Sequence, residues 1–122
     1  MDYTGSSFCS SWKNGILKIK ALKIESNTFS LLDIILDAAV KKGGFNLAWD
    51  LRKVEPPTVW QTIQTINFIR RWKDRLDTHV KKTSILTAPN KEYILTYIFK
   101  VIPPSCPYYL GADKYEAKNF VK

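Results

Sequence analysis

Two acidic side chains and a hydroxyl group follow the strongest apolar run in the middle of the chain. Residues 45–49 form a short, nearly continuous apolar stretch, which is typical of a strand buried on both faces. Asp50, Glu55 and Thr58 come after it, at the end of the strand where open α/β sheets place their ligand crevices. The two carboxylates could exchange protons with a substrate or bind Mg²⁺. No third ligand has a suitable spacing and no nucleophile lies beside a base, so we prefer Asp50 as the cap of a turn and predict no enzymatic activity, metal or cofactor.

Thr58 precedes a long helical pattern, which makes it a candidate N-cap. A threonine hydroxyl at this position accepts a hydrogen bond from a backbone N–H group of the first turn. A phosphate on Thr58 would also meet the positive end of the helix dipole. The carboxylate of Glu55 would repel such a phosphate, so capping is the preferred role.

The long helix and its exit are strongly basic, and one tryptophan, Trp72, lies among the charges. A basic face of this kind can bind the phosphates of nucleic acid or of an anionic membrane. Asp74 and Asp77 interrupt the positive run and form ordinary ion pairs four residues along the helix, so a solvated helix face is the preferred interpretation. The candidate anion-binding residues are Arg70, Arg71, Lys73, Lys81 and Lys82.

Composition predicts one domain in a chain of 122 residues, with 45% hydrophobic and 25% charged residues. The formal net charge of +8 favours acidic partners, although scattered lysines on a solvated surface also explain it. Cys9 and Cys106 lack metal-ligand spacing, and we interpret them as free thiols in a reducing compartment, which predicts a cytoplasmic location. Residues 1–6 are expected to be flexible.

Hydropathy and turn signals predict the order ββαβαβαβα, which is a single-domain α/β fold. Asn14-Gly15 predicts an N-terminal antiparallel hairpin, and the alternation of strands and helices after it predicts a mixed, mostly parallel sheet. Asp33 is placed in the first turn of the first helix, where it would favour the helix dipole. The predicted strands cover 7–13, 16–24, 45–49, 83–88 and 106–110, and the predicted helices cover 29–42, 58–82, 91–102 and 114–121.

The helix predicted over 58–82 carries seven apolar residues at spacings of three and four. Such a stripe is expected to face the core along its whole length. These residues are Val59, Ile63, Ile66, Ile69, Trp72, Leu76 and Val80.

The element order resembles the STAS fold of the anti-sigma-factor antagonists, over essentially the whole chain from the hairpin onward. The segments that carry the resemblance are residues 50–52, 70–73 and 81–83. The resemblance implies a protein that docks a partner through the crevice and helix after the central strand. In the antagonists, a serine or threonine at this helix start is a phosphorylation switch, and Thr58 matches it here. The usual Ser-Ser-Gly pattern is absent and prolines stand in its place.

The sequence therefore predicts a non-enzymatic, STAS-like interaction module with a regulatory role. Its partner-binding residues would be Arg52, Glu55, Thr58 and Trp60. One alternative is a carrier of an apolar ligand or lipid, which requires a cavity between the long helix and the sheet. Another is an electrostatic binder of nucleic acid or anionic membrane. Five C-terminal tyrosines cannot all be buried, and an open strand edge at 106–110 would allow a homodimer.

Overall fold

A six-stranded mixed sheet forms the centre of the protein, in a computed structural model that describes residues 1–122. The strands lie side by side in chain order, with the first three antiparallel and the remaining neighbours parallel. The strands are β1 Tyr3–Thr4, β2 Phe8–Lys13, β3 Ile16–Ala21, β4 Phe45–Asp50, β5 Val80–Leu86 and β6 Tyr108–Gly111. The helices are α1 Thr28–Val40, α2 Val59–His79, α3 Glu92–Val101 and α4 Lys114–Phe120. This confirms the predicted α/β class.

The hairpin between β2 and β3 forms at the predicted turn. Asn14 and Gly15 both have positive φ angles, 55° and 73°, as a two-residue turn between twisted strands requires. Lys18 and Lys20 of β3 face solvent, whereas Leu17 and Ile19 are buried. Because apolar and charged residues alternate along β3, one face of the sheet packs against the core at this strand.

The two faces of the sheet are covered unequally. Helices α1, α2 and α3 lie on what we call the front face, where the main core joins side chains of β3 and β4 to α1 and α2. Helix α4 packs against β5 and β6 on the opposite, back face, and Asn46 Nδ2 donates to the carbonyl of Val121 at 2.6 Å. The side chains that β3 directs to the back face, such as Lys18 and Lys20, are not covered by a helix.

The helix boundaries differ from the predicted ones where tertiary contacts decide the local structure. Helix α2 ends at His79, because Val80 is 5% exposed and pairs with Phe45 as the first residue of β5. Helix α1 ends at Val40 and is followed by Gly43 with a φ of 98°. Asp33 lies beyond the first turn of α1, so the prediction that it interacts with the dipole there is wrong.

Residues 1–6 contain an element that the sequence analysis did not predict. Strand β1 pairs with β2, and Trp12 N donates to Asp2 Oδ1 at 3.0 Å. Ser10 Oγ also donates to the carbonyl of Met1 at 2.5 Å. Residues 3–4 thus form the short edge strand of the sheet, and the flexibility of residues 1–6 stays a prediction.

No helix of the protein is both long enough and apolar enough to cross a membrane. The two cysteines are unpaired, as predicted, and both are half-buried.

Candidate functional site

The segment between β4 and α2 carries the predicted site residues. Asp50 closes β4, and its carboxylate accepts the backbone N–H of Arg52 at 3.2 Å, which forms the predicted turn cap. The Arg52 guanidinium turns back onto the same carboxylate, with Nε to Oδ1 at 3.0 Å and Nη2 to Oδ2 at 2.7 Å. This bidentate pair lowers the pKa of Asp50 against the opposing effect of burial, with Lys20 adding a smaller effect in the same direction.

The Asp50–Arg52 pair makes both groups less available for other chemistry. An ionised Asp50 with a depressed pKa does not serve as an acid near neutral pH. The Arg52 fork, whose pKa is raised by the same pair, already holds a carboxylate. No group of three or more His, Cys, Asp or Glu side chains could hold a metal ion.

Thr58 is the N-cap of α2 within a complete capping box. Its Oγ1 accepts the N–H of Gln61 at 3.1 Å, and Gln61 Oε1 accepts the N–H of Thr58 at 3.0 Å. The capping prediction is confirmed. Phosphorylation of Thr58 stays a prediction, and Glu55 is exposed beside it.

The first turns of α2 present apolar side chains to solvent. Val59 is 81% exposed, Trp60 66% and Ile63 44%, and we call these three residues the apolar crest. The prediction that Val59 and Ile63 face the core is wrong, because the first turns of α2 extend past the sheet and have no strand beneath them. The prediction that Trp72 is buried is confirmed, and the other fully buried residue of α2 is Phe68, whose ring packs on Phe29 at 5.1 Å.

Additional exposed aromatic residues lie on α3, which also borders the front face. Tyr93 and Tyr97 are about two-thirds exposed, and Val101 follows them on the helix. Tyr108 and Tyr115 are exposed elsewhere, whereas Tyr109 is half-buried, so the prediction that the tyrosines cannot all be buried is confirmed.

Sequence periodicity missed the crest because an exposed helix end keeps the same apolar spacing as a buried one.

An apolar cavity of about 270 Å³ lies beneath these surfaces, between α2, α3 and the front of the sheet. Apolar residues of all three elements line it, and Val54, Pro56 and Pro57 line its side nearest the crest. Ile98 of α3 and Ile102, which follows the helix, are buried, but Ile94, Leu95 and Phe99 are only half-buried. Helix α3 therefore leaves space over the sheet.

The basic residues of α2 and its exit do not form one anion-binding patch. Arg71 Nη2 bonds both carboxylate oxygens of Asp33 at 3.0 Å, and Lys73 Nζ lies 3.1 Å from Asp77 Oδ2. Lys81 and Lys82 belong to β5, where successive side chains point to opposite faces. Of the three candidates on α2, Arg70 alone is exposed without an ion pair.

The strand order and the positions of the four helices define an α/β structure with a STAS-like fold. A crystal structure of an uncharacterized DUF3478-family protein with a SpoIIAA-like fold, from Shewanella loihica PV-4, matches with a TM-score of 0.68 and 11% identity. The match covers 94% of this chain and 92% of that chain.

A second similar structure is the Pseudomonas aeruginosa complex of the diguanylate cyclase SiaD with its activator SiaC. The match is to SiaC, with a TM-score of 0.57 and 12% identity, and it covers 91% of this chain and 96% of that chain. At such identities the likeness shows the fold alone. No protein-family model and no curated protein matches the chain.

Proposed function

We propose that this protein is a non-enzymatic interaction module that regulates a protein partner by docking through the apolar crest and the adjoining β4–α2 segment. The observation that carries the proposal is the exposure of Val59, Trp60 and Ile63 on one rigidly capped helix end. Exposed tryptophans of this kind are enriched among the residues that dominate protein–protein binding. The neighbouring structure with a SiaC-like fold, which belongs to a protein described as an activator of a cyclase, supports a regulatory role.

Arg52, Glu55 and Thr58 would form the polar rim of this surface. Arg52 is held in place by Asp50, and Glu55 is exposed between the turn and the helix. A rim of charged groups around an apolar centre provides orientation more than affinity. Phosphorylation of Thr58 would place two further negative charges directly beside Val59, which makes it a suitable position for control of docking.

The test compares partner capture from the protein's own cell extract by the wild type and by Trp60→Ala/Ile63→Ser. Tyr115→Ala is the matched control, because Tyr115 is 80% exposed but lies on α4. We expect a stoichiometric protein that survives high salt with the wild type and the control, and is lost with the crest variant. Capture of only nucleic acid or lipid that elutes at moderate salt would contradict the proposal. Equal capture by the crest variant would also contradict it.

The cavity between α2, α3 and the sheet favours a second candidate function, the binding of a small apolar ligand. Its volume of about 270 Å³ exceeds the roughly 150 Å³ of an engineered apolar cavity that stays dry and binds benzene. Its lining is almost entirely apolar, as in most small-molecule sites.

A titration with decanoate, followed through the methyl resonances of Ile69, Ile94 and Leu95, tests this second function. Ala88 lines the cavity, so Ala88→Phe should fill it and abolish the spectral changes. Ser30→Phe, which adds the same ring on the exposed side of α1, should leave them intact. Absence of changes with the wild type would exclude a decanoate-sized ligand from the cavity.

A further inference from the structure

The back face of the sheet holds a second concave surface, which we call the back groove. It has a volume of about 890 Å³ and lies between the open part of the sheet and helix α4. Exposed Lys18 and Lys20 project from β3 into its floor, and exposed Lys114 and Lys118 of α4 form one wall. The front-face helices do not contribute to it.

The positive charge lining the back groove is not neutralised by the protein. The unpaired ammonium groups belong to Lys13, Lys18, Lys20, Lys114, Lys118 and Lys122. The one carboxylate that lines the groove, Asp50, is occupied by Arg52. By contrast, four of the five ion pairs lie on α1 and α2. The lining of the back groove therefore carries a local excess of positive charge.

The chemistry of the back groove selects among negatively charged partners. Trp49 is its single aromatic lining residue and is half-buried, so bases of a single-stranded nucleic acid find no exposed stacking platform. Its free cations are lysines, whereas bidentate phosphate recognition uses arginine, and Arg52 is already paired. A concave surface without exposed apolar anchors also does not match a flat membrane.

An acidic polypeptide satisfies the same constraints. Lys18 and Lys20 are two positions apart on β3, so their side chains leave the same face about 7 Å apart. Alternate side chains of an extended peptide have the same repeat, which would bring its carboxylates opposite these two ammonium groups.

We propose that the back groove binds an extended, glutamate- or aspartate-rich segment of a partner protein. The groove adjoins the β4–α2 segment at Asp50 and Arg52, but its floor on β3 and its wall on α4 contain no residue of the apolar crest. Affinity would come from several lysine–carboxylate pairs within a concave surface, and would fall as salt is added.

The test measures the fluorescence anisotropy of a labelled polyglutamate peptide of about ten residues, which when extended at about 3.3 Å per residue is longer than the six-residue strand β3. The variant Lys18→Glu/Lys114→Glu reverses one charge on the floor and one on the wall. Lys114 is the first residue of α4, where an acidic side chain suits the helix dipole, so the variant should fold. The control Arg70→Glu/Lys100→Glu makes the same change of net charge at exposed positions outside the groove.

We expect the groove variant to lose about tenfold or more in peptide affinity, and the control to lose less than about threefold. Circular dichroism and thermal melting establish that both variants are folded. Equal losses in the two variants, or no binding by the wild type, would overturn the proposal. Tighter binding of a charge-matched DNA duplex or of anionic vesicles, with the same dependence on Lys18 and Lys114, would overturn the assignment to an acidic peptide.

Discussion

The indole N–H of Trp72 donates to Asp33 Oδ1 at 2.6 Å, which joins the middle of α2 to α1 through a single carboxylate. Trp72 is 1% exposed, so this N–H has no access to water. Arg71 bonds the same carboxylate from the exposed side, and the Arg75 guanidinium stacks 3.7 Å from the centre of the Trp72 ring. Asp33 thus accepts the hydrogen bond of the buried Trp72 N–H and also forms an ion pair with the exposed Arg71.

Replacing Asp33 by alanine should lower the free energy of unfolding by about 1–3 kcal/mol, because the buried Trp72 N–H is left without an acceptor. Asp33→Asn keeps an oxygen acceptor and should cost less. Urea unfolding followed by tryptophan fluorescence measures both changes. Asp37→Ala is the control, since it removes only exposed pairs with Lys41 and Arg75 and should cost less than about 1 kcal/mol. An equal cost for the Asp37 variant would contradict the assigned role of Asp33.

Loss of the α2 cap should also be measurable. Thr58→Ala removes the acceptor for the Gln61 N–H and should lower the free energy of unfolding by about 1 kcal/mol, whereas Thr58→Ser should retain it. Thr62→Ala is the matched control in the same helix, because the Thr62 hydroxyl only bonds the carbonyl of Thr58 within the helix. That variant should be neutral or slightly stabilising. A larger loss for Thr62→Ala than for Thr58→Ala would be inconsistent with the cap.

The Asp50–Arg52 pair predicts a specific dependence of stability on pH. The folded-state pKa of Asp50 lies below its unfolded value because of Arg52, so the pair stabilises the protein above about pH 4, and this stabilisation is lost as the pH falls through the folded pKa. The difference in stability between the wild type and Arg52→Gln should therefore be present at neutral pH and vanish in acid. Carboxyl-carbon NMR titration should show a raised Asp50 pKa in Arg52→Gln. Lys53→Gln, next in the same turn, should leave it unchanged.

Local sequence signals predicted the elements well where each signal acts within a few residues. Asn14-Gly15 determined the hairpin because its turn geometry is independent of distant contacts. Thr58 indicated the start of α2 for the same reason. The end of α2 was predicted too late, since Val80 continues the helical spacing but is held in the sheet by Phe45.

The candidate site was only partly predictable, because exposure and charge pairing depend on tertiary structure. Trp60 was expected at the partner surface and is exposed, yet Val59 and Ile63 were assigned to the core. No signal in the helical pattern tells where the sheet beneath it ends. The neutralisation of Arg71 by Asp33 joins residues 38 positions apart, and sequence spacing does not reveal such a pair.

The unequal distribution of ion pairs leaves the surface charge uneven between the two sides of the sheet. Four ion pairs neutralise part of the charge on the helical side, whereas six unpaired lysines line the groove on the open part of the sheet. A negatively charged partner would rotate such a molecule during diffusion, before any contact forms, and would accelerate encounters in one orientation. Trp60 does not line the back groove, so an acidic partner bound there would leave it accessible. The protein could then hold two partners at the same time, one on each side of the sheet, as an adaptor does.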